Sequence, residues 1–247
     1  KSVIKLFIPP VKAYSAGMKK RIYYGALLAA GLFLAGPAMA LDIFILRHAE
    51  TMANVTKVYS EDNQRTFSPA GQEAIRQLPA RLAGYHFDRI FVSPDYRVLR
   101  TILPYLQHEK RTAEIWPELA ECCWDTLKSG GDTPANAGAP IVLDEELRPF
   151  FTFRDGVSAR AAFAATAEEG EALAHQTAAR ILAQYAGSTN SLLVVSHYHT
   201  GRHLLKAFLP TPAPRGIRLR NTGLSRLQEQ PDGTFRLLWL NDRPFRP

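Results

Sequence analysis

Two short apolar runs in this chain end in histidine. Residues 41–46, "LDIFIL", lead straight into Arg47-His48 with Glu50 two places on, and residues 191–196, "SLLVVS", lead into His197. A guanidinium, an imidazole and a carboxylate are each costly to bury unless they are paired. One histidine at a strand end is accounted for by a structural hydrogen bond. Two at corresponding places point instead to a functional crevice, because ligands of open α/β sheets bind outside the carboxyl ends of the strands. If the two strands are neighbours, their imidazoles meet there.

The elements that would position these residues form an alternating pattern. After a buried strand at 42–46, Ser68-Pro69 opens a helix with Ala74, Ile75, Leu78 and Leu82 at helical spacing, closed by Gly84. "DRIFV", residues 88–92, reads as a second strand, and Ser93-Pro94 as N-cap and first residue of a helix to about Gln107, bent at Pro104. A third strand is expected around 112–116. Residues 126–157 include the turn-rich "SGGDTPANAGAP" and carry little pattern, and residues 158–186 return to an Ala-rich helix with Ala161, Phe163, Leu173, Ile181 and Leu182 among its apolar positions. "SLLVVSH" has the continuous apolar character of a strand covered on both faces. "GLSRLQEQ" and "TFRLLWL" around Pro231-Asp232-Gly233 make a terminal hairpin. Strands alternating with helices predict a three-layer α/β/α fold on a mostly parallel sheet, with no internal repeat.

Ahead of the first strand, Met18-Lys19-Lys20-Arg21, the apolar run 22–36 and Ala38-Met39-Ala40 have the three parts of a secretory signal peptide, with cleavage expected after Ala40. Residues 1–17 read as an upstream segment. The alternative is an uncleaved membrane anchor, since the apolar run and its flanks are about long enough to span a bilayer. The expectation is a single domain, residues 41–247, in the periplasm or secreted, with no stable membrane association after cleavage. The formal net charge of +7 then changes meaning: residues 1–40 hold six Lys or Arg and no Asp or Glu, leaving 24 against 23, or +1. Nucleic-acid binding loses its main support. Cys122 and Cys123 are neighbours, where a bridge is strained, so no disulfide framework is expected and both read as small buried apolar residues; two such cysteines do not make a metal site.

Several motifs in order along residues 42–240 resemble the histidine phosphatase superfamily, in the branch that includes cofactor-dependent phosphoglycerate mutases and small phosphomonoesterases. "RHAETMAN" resembles the superfamily's RHGETxWN, matching at Arg47, His48, Glu50, Thr51 and Asn54. "FSPAGQEA" resembles LTxxGxxQA, and "VSPDYRVLRT" resembles SSPLxRAxQT, which places Arg97 on the second phosphate arginine. "LAE" within "PELAECCW" matches the segment that carries an acid–base glutamate, pointing to Glu121, with Glu118 as the alternative three residues earlier. "LLVVSHYHTGRHLL" resembles the strand and helix around the second catalytic histidine, His197. The chain departs from the family pattern at Ala49 for glycine, Ala53 for tryptophan, and Tyr198-His199 where small residues are common, which bears on substrate shape more than on phosphate chemistry.

The resemblance implies a phosphoglycerate mutase-like fold in which His48 attacks a phosphoryl group and becomes phosphohistidine. Arg47, Arg97 and His197 would hold the phosphate, Glu121 would move the proton, and Thr51 and Asn54 are secondary phosphate-site candidates. The arginines would do the electrostatic work, so neither metal nor other cofactor is required. His199 and Arg202 could add to the pocket or face solvent. Residues 123–157, with Trp124, Arg148, Phe150, Phe151, Phe153 and Arg154, form a possible lid over the leaving group, or a satellite core. The leading expectation is an exported phosphomonoesterase acting on a phosphorylated small molecule. The alternatives are a phosphoglycerate mutase-type phosphotransferase and a non-catalytic phosphate-ligand binder.

Overall fold

The computed structural model of the protein describes residues 40–122, 138–154, 159, 160, 162, 164, 166–210 and 216–246. All of them fall within one unit, Pro37–Pro247. Of the expected upstream segment and leader, residues 1–39 lie outside the described residues, as do Trp124 and most of the turn-rich stretch.

The chain begins with β1 (Asp42–Arg47) and two short helices, α1 (Met52–Thr56) and α2 (Glu61–Arg65). Then come α3 (Pro69–Leu82), β2 (Arg89–Val92), α4 (Tyr96–Glu109), β3 (Ala113–Ile115) and a 3-10 turn at Pro117–Leu119. A second 3-10 turn, Arg148–Phe150, leads into β4 (Phe151–Phe153), followed by α5 (Ala167–Tyr185), β5 (Ser191–Ser196), α6 (Tyr198–Phe208), β6 (Leu224–Glu229), β7 (Phe235–Leu240) and β8 (Arg243–Pro244). The eight strands form one sheet in the order β4-β3-β2-β5-β1-β6-β7-β8. The first five positions are joined by parallel pairs, and β6 to β8 close the other side antiparallel.

Alternation along the central strands divides the core into two layers. Ile43 and Ile45 of β1 and Leu192 and Val194 of β5 face α5 and α6, with Ala178, Ile181, Leu204 and Phe208 packed against them. Phe44, Leu46, Leu193 and Val195 face α3 and α4, meeting Leu78, Leu82, Ile102 and Leu106. Side chains in a strand point to opposite faces, so a strand covered on both sides must be apolar throughout. Burying each such Leu, Ile or Val contributes about 1.5–3 kcal/mol.

The element boundaries depart from the sequence reading in three places. The helix after β2 starts at Tyr96 with Asp95 as N-cap, not at Pro94 with Ser93. The reason is that the Ser93 hydroxyl is engaged by His197 Nε2 at 2.8 Å. The Ala-rich helix begins at Ala167, because the Thr166 hydroxyl accepts from Glu169 N and caps it there; Ala161 and Phe163 lie outside the described residues. The unpatterned region supplies an edge strand that was not foreseen: β4 pairs parallel with β3, and Phe151 is buried in the layer facing α3 and α4 with Phe150 and Phe153 against it. Pro104 sits inside α4, which runs without a break to Glu109.

Candidate active site

The sheet register brings the two histidines together. β1 and β5 are adjacent and parallel with Arg47 opposite Ser196, so His48 and His197 follow their strands at the same level. His48 N donates to Ser196 O at 3.0 Å, and the two imidazole rings lie edge to face with centroids 5.2 Å apart. β2 runs on the other side of β5, and Ser93 N donates to Val195 O, which delivers the Ser93 hydroxyl to the same level.

His48 is buried and its tautomer is set by geometry. Nδ1 lies 2.7 Å from Ala49 O, a group that only accepts, so Nδ1 carries the proton and Nε2 keeps its lone pair. Burial pushes the His48 imidazole well below the ordinary histidine range, and the charges of Arg97, His197 and Arg47 push it the same way, against the Ala49 bond. His48 is therefore a neutral imidazole with a free nitrogen. The loop behind it is clamped by Ala49 N donating to Thr101 Oγ1 and by Asn221 Nδ2 donating to His48 O.

The cavity in front of His48 has a volume of about 300 Å³ and is lined by Arg47, Thr51, Asn54, Arg97 and Glu121, together with Lys57, Tyr59, Gln64, Tyr198 and His199. Arg47 donates to Leu219 O at 3.0 Å and lies over the Tyr198 ring, 5.2 Å from its centroid. Arg97 donates from Nη1 to Gln64 Oε1 at 3.1 Å, while its Nη2 is 3.1 Å from Asp95 Oδ2. Thr51 caps α1, and its N–H is bound by Asn54 Oδ1, which also accepts from Asn221. Thr51 and Asn54 thus brace the loop and also face the cavity.

Glu121 sits at the N-terminus of α6. Its Oε1 accepts from the N–H groups of His199 (3.0 Å), Thr200 (3.1 Å) and Cys122 (3.3 Å), and its Oε2, among the described residues, from Tyr198 N at 3.2 Å. A carboxylate is at home against the exposed N–H groups and positive end of a helix. Oε2 is left with spare acceptor capacity toward the cavity. Glu118, the alternative, is mostly buried behind the site in ion pairs with Arg154 and Arg180. Glu50 does not line the cavity and accepts from Ser68 Oγ at 2.8 Å, so it ties α3 to the loop after β1. That attachment is close: a Cβ on Gly71 would collide with the Glu50 carbonyl, which is why the helix opening carries glycine there.

His197 is fully buried behind His48. Its Nε2 is 2.8 Å from Ser93 Oγ and 2.9 Å from Asp95 Oδ2, and its Nδ1 is buried with no partner among the described residues. Burial alone would raise the Asp95 carboxyl, but Arg97 and His197 outweigh it and hold the group well below the carboxylate range. Asp95 was missed in the sequence because "SPDYR" reads as ordinary helix-start composition. The motif it aligns with has leucine at this position. Gln64, Lys57, Tyr59 and Asn221 were missed for a different reason: they come from segments whose approach to the site only the folded chain decides.

His199 lines the cavity, whereas Arg202 stacks toward Tyr198 without lining it. None of the described residues of the expected lid lines the cavity; Phe150, Phe151 and Phe153 pack on the core, and Arg154 pairs with Glu118 over the Trp116 ring. Cys122 is disulfide-bonded, which corrects the reading of the cysteines as unbridged apolar residues. Among the described residues no cluster of His, Cys, Asp and Glu is arranged to hold a metal ion.

Neighbouring parallel strands thus bring His48 to the cavity with His197 buried behind it, and Arg47 and Arg97 stand on the cavity wall, an arrangement suited to holding a phosphoryl group. The sequence model of the histidine phosphatase superfamily, branch 1, matches residues 43–243. The chain belongs to that superfamily and is a phosphatase of its class. No curated protein matches the sequence significantly. Solved structures share the fold at low identity. An alpha-ribazole phosphatase from Shigella flexneri is 19% identical with a TM-score of 0.58, covering 83% of this chain and 98% of its own. A phosphoserine phosphatase from Entamoeba histolytica is 18% identical with a TM-score of 0.55, covering 82% and 97%. A mycobacterial glucosyl-3-phosphoglycerate phosphatase is 15% identical with a TM-score of 0.56, covering 81% and 99%.

Proposed function

We propose that the protein is an exported phosphomonoesterase that hydrolyses a phosphorylated small molecule through a phosphohistidine at His48. The observation that carries this reading is the neutral His48, whose Nε2 is free while Nδ1–H is anchored to Ala49 O, in a cavity with Arg47 and Arg97 on its wall. With Glu121 entering the cycle as the acid, protonated at Oε2, His48 Nε2 attacks phosphorus, the ester P–O bond breaks, and the leaving oxygen takes that proton, leaving the carboxylate. Water then attacks phosphorus, returns a proton to Glu121, and the N–P bond breaks to release phosphate. Arg47, Arg97 and His197 stabilise charge on the equatorial oxygens, with Thr51 and Asn54 at the rim.

Substrates of the fold neighbours, among them alpha-ribazole phosphate, phosphoserine and glucosyl-3-phosphoglycerate, are small phosphate esters by name, which fits a cavity of about 300 Å³. Export is supported by the residue 18–40 pattern alone. The test is phosphate release from p-nitrophenyl phosphate and from sugar, nucleotide and inositol phosphates, beside His48→Ala. The variant should lose turnover by several orders of magnitude. Turnover that survives the substitution would remove His48 as the nucleophile.

A further inference from the structure

In the proposed reaction Arg97 and His197 serve the substrate phosphate, yet in the folded chain a carboxylate already sits on both. Asp95 Oδ2 lies 3.1 Å from Arg97 Nη2 and 2.9 Å from His197 Nε2. The other terminal nitrogen of Arg97 is bound to Gln64. Both arms of the guanidinium are thus engaged, in a place where the Arg97 side chain is only 12% exposed and the Asp95 side chain 20%. Charges this sheltered are poorly screened by salt. A helix N-cap normally turns its side chain onto the backbone N–H groups of the first turn, but Asp95 makes no such bond. Its carboxylate faces the site instead.

We propose that Asp95 is a built-in competitor for the phosphate donors: it occupies Arg97 and His197 in the empty site and lowers the site's affinity for phosphate, favouring product release. The inference rests on the phosphatase reading, and it gives Asp95 a sign that a positioning role would not. Removing a carboxylate that merely held Arg97 and His197 in place would weaken phosphate binding. Removing a competitor strengthens it, because both donors are freed and a like charge is taken from beside a dianion. His48 also acts on Asp95, and Arg47 on Arg97, and both are the same in protein and variant.

The experiment is titration of the full chain and of its Asp95→Asn and Asp95→Leu variants with inorganic phosphate by calorimetry, with inhibition of p-nitrophenyl phosphate turnover by phosphate measured alongside and folding checked by circular dichroism. Both variants should bind phosphate about tenfold or more tightly and show correspondingly stronger product inhibition. Folded variants that bind phosphate equally or more weakly would overturn the inference while leaving the phosphatase reading intact. Failure of the protein and of both variants to bind phosphate at all would overturn both.

Discussion

At the scale of single residues, the arrangement separates two carboxylates by role. Glu121 is held by helix N–H groups with one oxygen turned to the cavity, and Asp95 is held by Arg97 and His197. Glu121→Gln should lower turnover of alkyl phosphates by about 10²–10⁴-fold, with a smaller loss on p-nitrophenyl phosphate, whose leaving group needs no proton; equal losses on both would remove Glu121 as the proton donor. His48 also makes stability depend on pH. Its imidazole is pushed well below the ordinary value, so the unfolded chain takes up a proton near pH 6.5 that the folded chain refuses. This contribution is present above about pH 6.5 and is lost as pH falls toward the folded value. His48→Asn keeps a donor near the Nδ1 position without titrating. Urea unfolding should show its stability declining less than that of the parent between about pH 7 and pH 5, and a parallel decline would contradict the assignment.

At the scale of elements, site and core are connected through β5. Leu193 lies in the layer facing α3 and α4, three residues before Ser196, whose carbonyl holds His48 N. Leu193→Ala should cost about 2–5 kcal/mol in chemical denaturation by leaving a cavity. The junction between α3 and the loop after β1 is tighter: Gly71→Ala forces a methyl into the Glu50 carbonyl. That substitution should lower kcat/KM by shifting the loop that ends at Thr51 and the start of α1 with Asn54, and an unchanged kcat/KM would show that the loop yields without moving the cavity. The same junction explains a legible motif. "FSPAGQEA" carries Ser68 to cap α3 and Gly71 to let the loop approach, so its spacing reflects two physical needs.

At the scale of the whole molecule, the proposed export gives a direct prediction: the protein recovered outside the cytoplasm should have the mass of a chain beginning at Leu41, and a retained leader would contradict it. Much of the fold was legible because it depends on local pattern. Apolar strands ending in Arg47-His48 and His197, Ser-Pro helix starts and the Pro-Asp-Gly hairpin are properties of a few adjacent residues. The edge strand β4 was not legible, since three residues carry no periodicity and their state depends on finding β3 beside them. By itself the sequence determined which side chains are candidates for the chemistry, because residue type and the strand or helix end it follows are local facts. Only the tertiary structure decided that β1 and β5 are neighbours in register, that Glu121 and not Glu118 reaches the cavity, and that Asp95 meets Arg97 and His197. Those are distances between residues far apart in the chain or turned by packing, and burial and hydrogen bonding across the sheet set them.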